Sequence, residues 1–154
     1  MTTEALDAWR GWVRDWSAAH DYSTLLRLSR TGEKLAAQMD AGLVPVRVAV
    51  VSSATIDFVL PILKASLLGT GLRPSVFVAP YGQVLTSLLD PDGPLARFQP
   101  QVTIIASATA HIPGWPALGA SLDEVERHID EICRSLLEPC ATFHERTGSE
   151  IVVD

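Results

Sequence analysis

The stretch Val46-Arg47-Val48-Ala49-Val50-Val51-Ser52-Ser53-Ala54-Thr55-Ile56-Asp57 decides the fold. Its opening run is β-branched or small and apolar apart from Arg47, the pattern of a strand buried on both faces. It closes on small and polar residues, and Phe58-Val59-Leu60 to Leu68 continues as an apolar, helix-like segment. Strand, tight loop and returning helix are the building unit of a parallel α/β sheet. Ligands of such sheets sit at the carboxyl ends of the strands. Ser52, Ser53, Thr55 and Asp57 therefore stand where chemistry is expected.

Outward from this unit the pattern repeats. A helix predicted over 56–68 stops at Gly69-Thr70-Gly71, and Pro74 to Ala79 reads as a second strand. Pro80-Tyr81-Gly82-Gln83 turns into a short helix over about 83–89. Asp90-Pro91-Asp92-Gly93-Pro94 is a loop by its turn chemistry, 95–98 adds a helical turn, and Gln101 to Ser107 is a third strand. Beyond a proline-containing loop at 108–119, Ser121 caps a long helix with the stripe Val125, Ile129, Ile132, Leu136 and Leu137. Pro139 is expected to kink or end it. Ile151-Val152-Val153 begins a fourth strand. On the N-terminal side, 3–20 forms an amphipathic helix with Leu6, Trp9, Val13 and Trp16 at helical spacing and Trp12 beside them. Asp21 and Ser23 can cap a second helix over 23–40, which Gly32 is expected to split into two short pieces.

Strands alternating with helices predict an α/β class: a three-layer, Rossmann-like parallel sheet of about four strands with an N-terminal helical extension. Residues 1–42 form the helical lead-in and 43–154 the α/β domain. A sheet ending on its fourth strand predicts a piece of a longer polypeptide.

Composition narrows the function. The formal charge of −6 is broken by no basic cluster, which speaks against nucleic acid as a partner. The longest apolar run is far shorter than the roughly 20 residues of a membrane span. The start MTTEALDAWRGW lacks the basic-then-apolar order of a secretory signal, so no membrane association and a cytoplasmic location are expected. A hydrophobic share of 47% against 19% charged leaves room for a two-sided buried sheet or a face for another domain. Cys133 and Cys140, about 10 Å apart along a helix, are too distant to bridge and read as plain helix-face residues. His20, His111, His128 and His144 show no ligand spacing, and no nucleotide-loop, zinc-protease or nucleophile-elbow motif occurs, so no metal or cofactor is expected in this chain. The tryptophan helix either packs onto the body of the domain or docks a partner, which would allow a homo-oligomer through Trp9, Trp12 and Trp16.

Aligned on the strand end, Val51-Ser52-Ser53-Ala54-Thr55 is similar to the nucleophile block of SGNH (GDSL-type) hydrolases. Ser53 takes the place of the nucleophile and Gly82 that of the oxyanion glycine. Ser107-Ala108-Thr109-Ala110 stands where that family carries Asn, and its Asp-x-x-His block is missing. A serine needs a base to attack and donors aimed at the oxyanion, and no base can be assigned. Three readings stay open for the turn: Ser53 is catalytic; Ser52, Ser53 and Thr55 satisfy backbone groups and cap the helix; or Ser52, Thr55, Tyr81, Gly82 and Ser107 line a non-catalytic ligand pocket.

A broader resemblance runs over residues 22–110. Val48 to Asp57 followed by Leu60-Pro61-Ile62-Leu63-Lys64, then Val78-Ala79-Pro80-Tyr81-Gly82-Gln83, Leu88-Leu89-Asp90-Pro91-Asp92-Gly93-Pro94-Leu95 and Phe98-Gln99-Pro100-Gln101-Val102, resembles the N-terminal SGNH-like domain of FkbH-like (HAD-IIIC) proteins. Gly93-Pro94 and Gln101 depart from the family's serine and Asp, and the phosphatase-like HAD domain with its Asp-x-Asp-Asn-Thr signature is absent. The resemblance implies a parent enzyme that takes a glyceryl unit from 1,3-bisphosphoglycerate, dephosphorylates it and loads it onto an acyl carrier protein in polyketide-type biosynthesis. It implies Mg²⁺ only in the missing HAD domain. This chain would then be a non-catalytic accessory module whose partners are the acyl carrier protein or the HAD domain. The alternatives are a free-standing SGNH-type serine esterase or acyltransferase using Ser53, and an interaction module using the tryptophan helix.

Overall fold

The computed structural model describes residues 3–39, 42–106 and 116–153. Among the described residues, six helices and four strands follow in order: α1 (Thr3–Ala18), α2 (Tyr22–Ala37), β1 (Val44–Ser52), α3 (Leu60–Gly69), β2 (Leu72–Val78), α4 (Val84–Leu89), α5 (Pro94–Phe98), β3 (Val102–Ala106), α6 (Leu122–Thr147) and β4 (Glu150–Val153). The strands make one sheet in the order β2-β1-β3-β4. β1 pairs in parallel with β3, from Val48 beside Val102 to Ser52 beside Ala106, and β3 pairs in parallel with β4, with Val102 beside Glu150. This is the Rossmann-like α/β sheet with an N-terminal helical extension that the sequence predicts. Val48 to Val51 are all buried, as their unbroken apolar run requires.

The chain forms two compact units, each with its own core. The first comprises Met1–Val46 and Ile56–Val76. Its core is Trp9, Trp12, Leu28, Ala36, Met39, Ala65 and Leu68, with Val13, Trp16 and Leu35 against it. The tryptophans of α1 pack in series: ring centroids are 4.9 Å apart for the tilted pair Trp9 and Trp12 and 5.8 Å for the stacked pair Trp12 and Trp16. The Trp12 indole Nε1–H donates to the Leu28 carbonyl at 2.8 Å, so its polar edge is satisfied in the core. Gly32 does not break α2. A Cβ there would lie 2.3 Å from Cζ2 of Trp12, so the glycine makes room for the indole inside one continuous helix. Arg73 donates from Nη2 to the Ala36 and Met39 carbonyls at the end of α2, where a cation suits both the carbonyls of the last turn and the dipole. Helix α3 begins at Leu60, four residues later than the sequence pattern suggests. Pro61 occupies its first turn, the position proline favours, and Ile56–Val59 form a turn with Val59 N–H on the Ile56 carbonyl at 2.8 Å.

The second unit comprises Arg47–Thr55 and Phe77–Asp154. Ala49, Val51, Ala79, Val84, Leu88, Leu95, Ile105, Cys140 and Phe143 form its core. Ser121 and Glu124 cap α6 reciprocally, and Gly148 at φ 70° ends it in the left-handed conformation. Pro139 neither kinks the helix to a stop nor ends it: α6 runs 26 residues through it. The carbonyl that proline leaves without an N–H is that of exposed Ser135, which water can reach, while Cys140 and Phe143 anchor the following turns in the core. Arg146 Nη2 donates to the Leu88 carbonyl at 2.8 Å, capping α4. Beneath β3 and β4, the fully buried hydroxyls of Thr103 and Ser149 meet at 2.8 Å.

Candidate functional site

The turn after β1 lies in the second unit, at the carboxyl edge of the sheet. Ser52 is the last residue of β1 and is 4% exposed. Its Oγ accepts from the Ala54 N–H at 2.9 Å and lies 2.9 Å from both the Ala54 and Ala106 carbonyls. A hydroxyl has one proton to give, so it serves one carbonyl at a time while holding the turn closed and the ends of β1 and β3 together. Ser53 is also buried, at 5% exposure, and its N–H donates to the Ala106 carbonyl at 3.1 Å. Thr55 and Asp57 are exposed. Gly82, at φ 71°, turns its N–H to the Ser52 carbonyl at 3.3 Å, and Ala79 N–H donates to the Val50 carbonyl at 2.9 Å. Tyr81 is 64% exposed beside Gly82.

The structure therefore brings Ser52, Ser53 and Gly82 into one hydrogen-bonded cluster, with Thr55 and Tyr81 on its exposed rim. Ser107 lies outside the described residues, as does His111. The two N–H groups an oxyanion hole would draw on, those of Ser53 and Gly82, are both directed at main-chain carbonyls. The groups fixing this turn are the main chains of Ala54 and Ala106, which carry no signal in a sequence.

The described histidines of this unit serve elsewhere. His144 Nδ1 is 2.8 Å from the Ser149 carbonyl, just before β4. Glu150 registers with Val102 and Val48, at the amino end of the sheet. Four residues of strand, at about 3.3 Å each, separate that level from Ser52 by roughly 13 Å, so His144 is no base for Ser53. His128, on α6, faces Pro116–Ala120 and Glu124 around an open cavity of about 400 Å³, with Nε2 buried and without a hydrogen-bond partner among the described residues. Among the described residues no group of His, Cys, Asp or Glu is arranged to hold a metal ion, and no helix is long and apolar enough to cross a membrane.

Among the described residues, two acids have carboxyls held below their ordinary range by helix capping. The Ser23 hydroxyl and the Thr24 N–H bring Asp21 down to about 2, and Ser121 N–H and hydroxyl lower Glu124. Burial raises the Cys140 thiol.

No protein-family model matches the chain, and no curated protein does. A solved structure shares its fold: the N-terminal part of the protein BF1531 from Bacteroides fragilis, containing a phosphatase domain and complexed with Mg. The TM-score is 0.63 at 17% identity, over 88% of this chain and 33% of that one. The chain thus spans about a third of the length of that structure, and the likeness establishes the fold.

Proposed function

We propose that this chain is the N-terminal, non-catalytic accessory domain of an FkbH-like enzyme. The parent would load a glyceryl unit from 1,3-bisphosphoglycerate onto an acyl carrier protein, in the cytoplasm. Its phosphatase-type domain would carry the Mg²⁺ and the phosphate chemistry. The observation that carries the non-catalytic part is the state of the turn after β1. The Ser52 hydroxyl and the Ser53 and Gly82 N–H groups serve main-chain partners, which supports a turn whose described N–H groups are committed to carbonyls rather than to a developing oxyanion. The fold shared with the N-terminal part of a phosphatase-domain protein supports the context. On this reading exposed Thr55, Tyr81 and Gly82 form a surface at the mouth of the sheet, held in place by buried Ser52, that contacts substrate or carrier without reacting; Ser107, also expected there, lies outside the described residues.

The test pairs two assays. The chain alone is incubated with p-nitrophenyl esters, and separately with 1,3-bisphosphoglycerate, Mg²⁺ and an acyl carrier protein. No turnover is expected in either. Adding the phosphatase domain of an FkbH-like enzyme as a separate chain should give glyceryl thioester, read by mass spectrometry, faster than that domain alone. Ester turnover lost in Ser53→Ala would overturn the accessory reading in favour of a serine esterase. An unchanged loading rate would remove the link to FkbH-like chemistry.

A further inference from the structure

Helix α6 carries an apolar stripe along its length, packed into the core in its later part and half-buried to exposed in its earlier part. Leu122, Val125, Ile129, Ile132, Leu136, Cys140 and Phe143 recur at intervals of three, four or seven, one face of an α-helix. Cys140 and Phe143 are buried in the core of the second unit, with Leu136 packed against it. Toward the N-terminus one flank of the stripe is exposed: Ile129 is 50% exposed, Leu122 71%, and Cys133 is exposed between Ile129 and Leu137, while Val125 and Ile132 are half-buried. Acids border this stretch. Leu122–Glu138 holds Asp123, Glu124, Glu126, Asp130, Glu131 and Glu138 against only Arg127 and Arg134, and helical geometry sets Glu126 and Asp130 directly beside the stripe.

We infer that the N-terminal half of α6 is a docking face for a basic amphipathic helix of a partner protein. The apolar stripe supplies the contact that a helical segment reads through anchors at three- and four-residue spacing. The acidic border selects the sign of its flanks. The same border argues against other occupants. A second copy laid antiparallel on this face would set acidic rows against acidic rows, and anionic lipid or nucleic acid would be repelled. The inference stands whichever reaction the parent polypeptide performs.

Three labelled synthetic peptides test it by fluorescence anisotropy against the full chain. One is an amphipathic helix with a Leu/Ile stripe flanked by Lys and Arg. The second has the same stripe flanked by Glu, and the third is a scramble of the basic peptide with its charge intact. The basic amphipathic peptide should bind, and the other two at least about tenfold more weakly. Ile129→Asp, at a half-exposed site and checked for fold by circular dichroism, should reduce binding about tenfold or more. Glu126→Lys with Asp130→Lys should weaken the basic peptide and strengthen the acidic one. Failure of the basic amphipathic peptide to bind, equal binding of the scramble, or indifference to Ile129→Asp overturns the inference. So does a dimer dissociated by Ile129→Asp, or Ile129-dependent binding to phosphatidylserine vesicles.

Discussion

Gly32→Ala should destabilise the protein, although alanine is the better helix former. In an exposed helix the exchange would contribute about 1 kcal/mol of stability. Here the new methyl carbon would lie 2.3 Å from Cζ2, 2.6 Å from Cε2 and 3.0 Å from Cη2 of Trp12. The indole is 4% exposed, flanked by Trp9 and Trp16, and anchored by its N–H to Leu28. Overpacking a core in this way costs about 1–3 kcal/mol. If the ring moves to escape, the Nε1–H loses its carbonyl, at a further cost of about 1–3 kcal/mol. Set against the propensity gain, the centre of these figures is a net loss of about 3 kcal/mol. For a chain of this size that lowers Tm by roughly 6–12 °C. Thermal unfolding followed by tryptophan fluorescence reads it in the first unit. Trp12→Phe removes the benzo ring, and Gly32→Ala should cost far less in that background. A Tm unchanged or raised by Gly32→Ala, or a cost undiminished beside Trp12→Phe, would refute the reasoning.

Three further outcomes are expected. Ser52→Ala strands the Ala54 N–H and should cost about 1–3 kcal/mol, whereas exposed Thr55→Ala should stay within about 0.5 kcal/mol; urea unfolding of both variants compares them. One thiol, that of exposed Cys133, should react promptly with Ellman's reagent in the native protein and two after denaturation, because Cys140 is 4% exposed and its pKa is raised. Asp21, lowered from 3.8 to about 2 in the folded state, contributes stability that is fully present above about pH 4 and lost as pH falls through 2. Glu124 has the same sign, so helicity should fall over that acid range, and Asp21→Asn, which keeps a capping side chain, should flatten the Asp21 share of the slope.

The class of fold was legible because β1 contains the unbroken apolar run Val48–Val51 and the helices around it carry clear caps and stripes. Asp21 and Ser121 signalled the starts of α2 and α6 through local hydrogen bonding that the structure contains. The misreadings share a cause: a local rule was outweighed by a distant neighbour. Gly32 reads as a weak point in isolation, and only Trp12, twenty residues away, shows it to be a fitted one. Pro139 reads as a kink or a stop, and it is no stop, because Cys140 and Phe143 hold the helix together from the core side. At the turn after β1 the sequence marked the right serines, because small polar residues at a strand end have few other uses. Their roles depended on whether their partners were side chains or main chain, and the carbonyls of Ala54 and Ala106 are invisible in a one-letter string.

The buried hydroxyls of Thr103 and Ser149 also constrain how the sequence can drift. Thr103→Val alone deprives the Ser149 hydroxyl of its 2.8 Å partner inside the core, at about 1–3 kcal/mol, while exchanging both for apolar residues of similar shape can be nearly neutral. Every single-step path between the two solutions is uphill. Relatives of this chain should therefore carry either two hydroxyls or two apolar side chains at these positions, 46 residues apart in the chain, and seldom one of each. Such a covarying pair would report the alignment of β3 with the turn entering β4 in sequences for which no structure exists.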